Sequence, residues 1–209
     1  VSLDSVDPAF RTDTGFVQRV DTRTAQANAM YRWWPQSWLI NWGPRFSYSR
    51  NYDFAGLLQD EQVSAGVLGV LSSNLIGIGM VNRDMERFQG IEFFKTSYYV
   101  GAGLTASRKY SLGGYLSWGD QVFYGTDSFL GRGVTGTLFA TLRPMSRLNA
   151  DLALITSRLH DPRTSAQVFD VKILRALTTF QFTNRLLFRN IMEYNTLSRA
   201  LAANLLLTY

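Results

Sequence analysis

The stretch WLINWGPRFSYS, residues 38–49, alternates strictly between two kinds of side chain. One set is apolar and largely aromatic: Trp38, Ile40, Trp42, Pro44, Phe46 and Tyr48. The other set is mostly small or polar: Leu39, Asn41, Gly43, Arg45, Ser47 and Ser49. A period of two residues is the pattern of a β-strand whose two faces differ. The stretch therefore predicts a strand with one aromatic face and one polar face.

The same alternation recurs at residues 94–107, 110–119 and 134–143. We expect about eleven strands, at 24–34, 38–50, 61–72, 75–86, 92–107, 109–123, 131–143, 147–159, 166–180, 184–195 and 199–209. Short connections, such as Pro35-Gln36-Ser37 and Ser73-Asn74, alternate with long ones, such as 52–60 and 124–130. This organisation predicts an all-β fold, an antiparallel up-and-down meander.

The composition excludes several classes of site. The chain has 209 residues, a net charge of +5, one histidine and no cysteine. Without cysteine there is no disulfide scaffold, thiolate zinc site, iron–sulfur cluster or cysteine nucleophile. The basic residues are scattered and not clustered in a patch, which argues against a nucleic-acid partner. The sequence indicates no cofactor and no metal site.

The chemistry of the two faces distinguishes a membrane barrel from a soluble sheet. A soluble sandwich must fill its core with bulky side chains, but the polar face here carries mainly Gly, Ser, Thr and Asn. Aromatic residues bracket the apolar stretches, as Tyr110 and Trp118 do. Aromatic girdles around a lipid-facing band are typical of transmembrane β-barrels. The expected belt is Trp33, Trp38, Trp42, Tyr48, Tyr98, Tyr110 and Trp118.

The expected domains are a lead-in segment and a barrel segment. Residues 1–23 are polar and irregular, and we interpret them as an extracellular loop or lead-in; residues 24–209 form the transmembrane segment. Bacterial single-chain barrels have an even number of strands, and an open sheet edge does not occur in lipid. Eleven strands therefore predict an incomplete part of a larger barrel. We expect a native mass above 23.6 kDa, with partner strands upstream or downstream.

Two segments resemble a known family. VDPAFRTDTGFVQRVD (6–21) and LTTFQFTNRLLFRNIMEYNTLSRALAANLLLTY (177–209) are similar to the C-terminal β-barrel of an uncharacterised bacterial outer-membrane family. Members of that family carry an N-terminal domain resembling carbohydrate-binding module family 9. The resemblance implies that this domain and the final strands lie outside the present sequence. It implies no reaction and no catalytic residues.

Strand parity predicts a basic lumen. The side chains expected to point inward are Arg32, Arg45, Lys95, Arg143, Lys172, Arg185 and Arg189. The inward acidic residues are Asp151, Asp170 and Glu193. Charged side chains away from bulk water need partners or water of their own. They therefore either pair within the lumen, with or without a plug, or line a pore with a mild preference for anions.

Other motifs are explained by ordinary strand and loop chemistry. Gly131, Gly133 and Gly136 match a dinucleotide-binding pattern, which requires a following helix; here a strand pattern follows. His160 lies in an expected loop, and nothing orients Ser157 or Ser165 beside it as a nucleophile. Four acidic residues are interpreted as solvated loop carboxylates without the spacing of a calcium loop: Asp84, Glu86, Asp120 and Asp127.

The sequence therefore predicts an outer-membrane β-barrel of a Gram-negative bacterium, porin-like and not an enzyme, in contact with outer-membrane lipid. It would act as a pore, a transporter or a cell-surface scaffold, alone or with protein partners in an outer-membrane assembly. Two alternatives remain open, an outer-membrane hydrolase and a soluble β-structured binding domain.

Overall fold

The computed structural model describes residues 1–11, 19–35 and 37–209, and these contain twelve β-strands and no helix. The strands are β1 (Ser2–Val6), β2 (Thr22–Met30), β3 (Leu39–Tyr52), β4 (Leu58–Leu71), β5 (Leu75–Phe88), β6 (Ile91–Leu104), β7 (Tyr110–Phe123), β8 (Phe129–Met145), β9 (Leu148–Asp161), β10 (Ala166–Gln181), β11 (Leu187–Asn195) and β12 (Ala200–Thr208). No helix in the described part of the chain could span a membrane. The all-β prediction is confirmed.

Every strand pairs in antiparallel fashion with its neighbours in sequence, so the sheet order is β1 to β12 without a crossover. Tight turns join several pairs, and Asn74, with φ 58°, lies in the turn between β4 and β5. Asparagine tolerates this left-handed conformation better than most residues. The predicted antiparallel meander is therefore confirmed.

The eleven predicted segments correspond to β2–β12, with ends that differ by a few residues. The strand β1 departs from the sequence prediction of an irregular segment at residues 1–23. Its five residues pair with β2 from Ser2↔Gln26 to Val6↔Thr22. So short a polar segment carries too little alternation to be recognised. Residues 12–18 and 36 lie outside the described residues, and with them part of the lead-in and the middle of the predicted turn at 35–37.

The sheet has two free edges in the described residues. β1 pairs only with β2, and β12 pairs only with β11. Every residue of β12 is exposed to solvent. Closure of the sheet into a barrel therefore remains a prediction.

The sheet has almost no conventional core. Among the described residues, the buried hydrophobic side chains are Met85, Phe93, Val122 and Leu159. Large apolar side chains are exposed along most strands instead. A soluble sheet buries one face against another layer; the described part of the chain provides no such layer. The chemistry of its two faces is therefore the main guide to function.

Candidate membrane-facing surface and polar face

The strand register assigns each side chain to one of two faces, because residues directly opposite in a ladder share a face. Trp42 is linked in this way to Ala102 through Gly69 and Gly77. Tyr98, on the same face of β6 as Ala102, pairs with Trp118. We call this side the aromatic face, and the opposite side the polar face.

The predicted belt residues lie on or beside the aromatic face. Trp33 forms a bridge with Trp42, and their rings stack with centroids 4.7 Å apart. The rings of Tyr98 and Trp118 stack at 5.6 Å. Six of the seven belt residues are exposed: Trp33, Trp38, Trp42, Tyr98, Tyr110 and Trp118. Trp38 precedes β3 in a bend, and Tyr110 begins β7.

Tyr48 differs from the rest of the belt. It lies on the aromatic face but is only partly exposed. Its hydroxyl donates a hydrogen bond to Glu61 Oε1 at 2.8 Å, and the same carboxylate accepts from Arg50 Nε at 2.8 Å. Tyr48 therefore lies at the boundary between apolar and charged side chains.

This boundary moves downward across the sheet with one reversal, at β6, where the first charged residue of the aromatic face is Glu92, opposite Arg87 and two side-chain rows above Arg83. On β3 the first charged residue of the aromatic face beyond the aromatic stretch is Arg50, which pairs with Glu61 on β4. On β5 it is Arg83, which is level with Tyr48 because both pair with Val63 on β4. Tyr48 lies two residues before Arg50, so the boundary on β5 is one side-chain row lower. On β9 and β10 the paired Arg158 and Asp170 are level with Phe46, a further row lower.

The last step of this shift is Lys172, which is level with Pro44. From Arg50 to Lys172 the boundary moves by six residue positions while the chain crosses from β3 to β10. The shift is about one residue per strand. With a rise of about 3.3 Å per residue and strands about 4.8 Å apart, six residues over the seven steps from β3 to β10 correspond to strands tilted by roughly 30° from the normal of a flat boundary.

Most of the predicted lumenal basic residues share the polar face. Arg45 lies opposite Gly66, Lys95 lies opposite Asp84, and Arg189 lies opposite Thr179. Arg143 donates from Nε to Asn149 Oδ1 at 2.8 Å near the short-turn ends of β8 and β9. Arg32 lies between β2 and β3, between Met30 and Trp33 in sequence, with Nε 3.3 Å from Met30 Sδ.

Two residues that were predicted to point inward, one basic and one acidic, lie on the aromatic face instead. Lys172 lies opposite Thr156 on the aromatic face, and Asp170 lies on the same face opposite Arg158. Both parities of β10 mix apolar and polar residues, so alternation alone could not orient this strand. Arg185 lies in the turn between β10 and β11 and belongs to neither face of a strand.

The polar face also carries acidic residues for which the sequence predicts loop positions. Asp60 lies opposite Glu86, and Asp84 lies opposite Lys95, all within strands. The acidic residues on this face between β3 and β11 are Asp60, Asp84, Glu86, Asp151, Asp161 and Glu193; the basic ones are Arg45, Lys95, Arg143, Arg175 and Arg189. The predicted basic excess on this face is therefore wrong. Following the alternation of β5 from Asn82 into Asp84 and Glu86 would have revealed two of the acids.

A polar cavity opens on this face where β6 and β7 separate. Their ladder stops at Ser97↔Gly119, although β6 begins at Ile91 and β7 ends at Phe123. Gly119 has φ 133°, and a Cβ there would lie 2.4 Å from the Thr96 carbonyl oxygen. Asp120 Oδ2 accepts the Thr96 N–H at 2.9 Å in place of a backbone partner. The cavity measures about 260 Å³, and its lining includes Asp84, Lys95, Ser97, Ser117, Gln121 and Thr135.

Tyr124 extends over this region from the connection after β7. Its hydroxyl donates to Glu86 Oε1 at 2.5 Å, while Lys95 Nζ pairs with Glu86 Oε2. Partial burial, together with the hydrogen bond to Glu86, raises the pKa of Tyr124 to about 12. The polar face therefore has a linked set of hydroxyl, carboxylate and ammonium groups that can hold water or a small polar solute.

The remaining motifs do not assemble into a site. Gly131, Gly133 and Gly136 lie inside β8, so no helix follows them. The Ser157 hydroxyl lies 3.3 Å from Thr135 Oγ1 on the polar face, whereas His160 pairs with Arg132 on the aromatic face. Ser165 lies in the turn before β10 with φ 59°. The described residues contain no group of three or more potential metal ligands among His, Cys, Asp and Glu.

Comparison with known proteins gives no match: neither a protein-family model, nor a curated protein, nor a solved structure is similar to the chain. The resemblance of residues 6–21 and 177–209 to an outer-membrane family therefore stays a prediction.

Proposed function

We propose that this chain is part of an outer-membrane β-barrel of a Gram-negative bacterium, with the aromatic face toward lipid and the polar face toward the lumen. It would serve as a porin-like pore, a transporter or a cell-surface scaffold. The observation that carries the proposal is the charged boundary of the aromatic face, which reverses once at β6 but descends overall from Arg50 to Lys172, by an average of just under one residue per strand.

A flat membrane surface explains this shift. Strands of membrane barrels are tilted by about 35–45°, so residues at one depth occupy successively different positions in the ladder. The net shift of the boundary corresponds to a tilt of roughly 30°, a little below this range. A soluble sheet has no reason to place a sloping boundary between apolar and charged side chains on an uncovered face.

The free edges fit the same proposal. Lipid offers no hydrogen bonds to the backbone, so a sheet within it must close on itself. β1 and β12 are both unpaired on their outer sides in the described residues. We propose that further strands of the same protein pair with these edges and complete the barrel.

Dependence on detergent tests the proposal. The full gene product should require detergent or lipid to stay monodisperse and should migrate differently on gels before and after boiling, because barrels resist denaturation by detergent. A protein that stays monodisperse in plain buffer would contradict the proposal and favour the soluble binding domain. Hydrolysis of phospholipid or peptide by the purified protein, lost in His160→Ala, would favour the hydrolase.

A further inference from the structure

The aromatic face contains an apolar groove that crosses the middle of the sheet. It has a volume of about 590 Å³, within the range of small-molecule sites. Ala102, Gly114 and Gly136 form its floor, and larger side chains, including Leu138 and Leu154, line its sides. Because the floor residues have short side chains or none, neighbouring leucines reach over the floor: Leu138 Cδ2 lies 2.6 Å from the position of an added Cβ at Gly114, and Leu116 Cδ1 lies 3.0 Å from that at Gly136.

A group of basic residues adjoins one end of the groove. Lys172 lies directly opposite Thr156, which itself lines the groove. Arg158 and Arg132 lie on the same face at successive diagonal positions of the ladder, where side chains are about 7–8 Å apart. Lys172 is exposed and has no ion-pair partner among the described residues. The Arg132 side chain is 75% exposed.

Two carboxylates hold this group in place without neutralising it. Asp170 Oδ2 accepts from Arg158 Nη2 at 2.8 Å and from Nε at 3.0 Å, which fixes that guanidinium. Asp120 Oδ1 lies 3.3 Å from Arg132 Nε, while its other oxygen accepts the Thr96 N–H. The outer nitrogens of Arg132 and the Lys172 ammonium stay available for an anion. His160, opposite Arg132, adds a third donor.

We propose that this surface binds one anionic phospholipid-type lipid, with its phosphate at Arg132, Arg158 and Lys172 and an acyl chain in the groove. The inference rests on the proposed membrane function and identifies a ligand for the aromatic face. The basic group and the groove together favour a lipid that has both a phosphate and an acyl chain. A free phosphate would leave the groove empty, and a fatty acid without phosphate would interact less strongly with the basic group. The Lys172–Thr156 pair joins the two halves of the site.

Native mass spectrometry of the detergent-purified protein tests the site. The protein is released from micelles that contain equal amounts of phosphatidylglycerol and phosphatidylcholine with identical acyl chains, and the retained lipids are counted. We expect one retained phosphatidylglycerol. Lys172→Gln should weaken its binding about fivefold, the effect of one basic residue at an anionic surface. The control Arg83→Gln removes an exposed charge from the same face, away from the groove, and should leave retention unchanged.

A second pair of variants tests the acyl chain. Ala102→Leu fills the floor of the groove and should reduce retention, whereas Ala65→Leu on the same face outside it should not. Lys172→Arg keeps the positive charge and should bind the lipid as the wild type does. A loss in Lys172→Gln but not in Lys172→Arg would therefore result from the lost charge and not from misfolding. Equal retention of the two lipids, equal effects of Lys172→Gln and Arg83→Gln, or displacement of phosphatidylglycerol by inorganic phosphate alone would overturn the inference. A wild-type protein that needs no detergent would instead contradict the proposed function itself.

Discussion

The Tyr124 hydroxyl donates a hydrogen bond to Glu86 Oε1 at 2.5 Å, although β6 lies between β5 and the end of β7. The Tyr124 ring also packs edge-on against Phe88, with centroids 5.0 Å apart. The connection after β7 is therefore held over the polar face, beside the cavity at the end of the β6–β7 ladder. These contacts link the end of β7 to the end of β5, across β6.

This link should give the protein an alkaline instability. Tyr124 has a pKa of about 12 in the folded protein, above its ordinary value of 10.0. Its contribution to the free energy of unfolding is complete below pH 10 and is lost as the pH rises toward 12, because the unfolded chain ionises first. Denaturant unfolding across this range should show a weaker pH dependence in Tyr124→Phe than in wild type. Tyr110→Phe is the control, and an identical slope in both variants would show that Tyr124 does not contribute.

Gly119 should tolerate no side chain. Its φ of 133° and the 2.4 Å from an added Cβ to the Thr96 oxygen mean that alanine strains the backbone and displaces β6. We expect Gly119→Ala to lower the free energy of unfolding by about 1–3 kcal/mol. Gly79→Ala is the matched control, because nothing lies within 4 Å of its added Cβ. Equal stability of the two variants in chemical denaturation would contradict the tight approach at Gly119.

The aromatic face should reject charge where the polar face accepts it. Leu138 is 62% exposed on the aromatic face, and its neighbour Thr137 points to the opposite side. If Leu138 lies near the membrane midplane, Leu138→Arg should destabilise the protein by about 2–4 kcal/mol in lipid vesicles. Thr137→Arg should cost less, because its side chain enters a polar environment. A larger cost at Thr137 would reverse the assignment of the faces.

The polar face should not favour anions. Its acidic residues at least match its basic ones, and Asp60, Asp84 and Glu86 cluster where β4 begins and β5 ends. Where water fills the lumen, Asp84→Asn with Glu86→Gln should shift the reversal potential in planar bilayers toward anion selectivity. Asp170→Asn, on the aromatic face, should not shift it. Strong anion selectivity of the wild type would contradict this charge balance.

Alternation predicted the strands well because one face of most strands is mainly apolar over the central part of the strand. It oriented β3 correctly, with Trp42 and Arg45 on opposite faces. It failed on β10, where Lys172 could be placed only through its ladder partner Thr156. Charged residues at strand ends, such as Glu86, look like loop residues in sequence, although the strand continues past them. The groove and its basic group depend on register across five strands, which no local pattern contains.

Site-directed spin labelling tests the central claim most directly, because the chain has no native cysteine. Single cysteines would replace Val134, Thr135, Thr137 and Leu138 on β8, and each nitroxide would be exposed in lipid vesicles to oxygen and to a water-soluble nickel complex. We expect labels at Val134 and Leu138 to be accessible to oxygen, and labels at Thr135 and Thr137 to be poorly accessible to oxygen. Labels at Val134 and Leu138 reached mainly by the nickel complex, or shielded from both reagents, would contradict a lipid-facing aromatic surface.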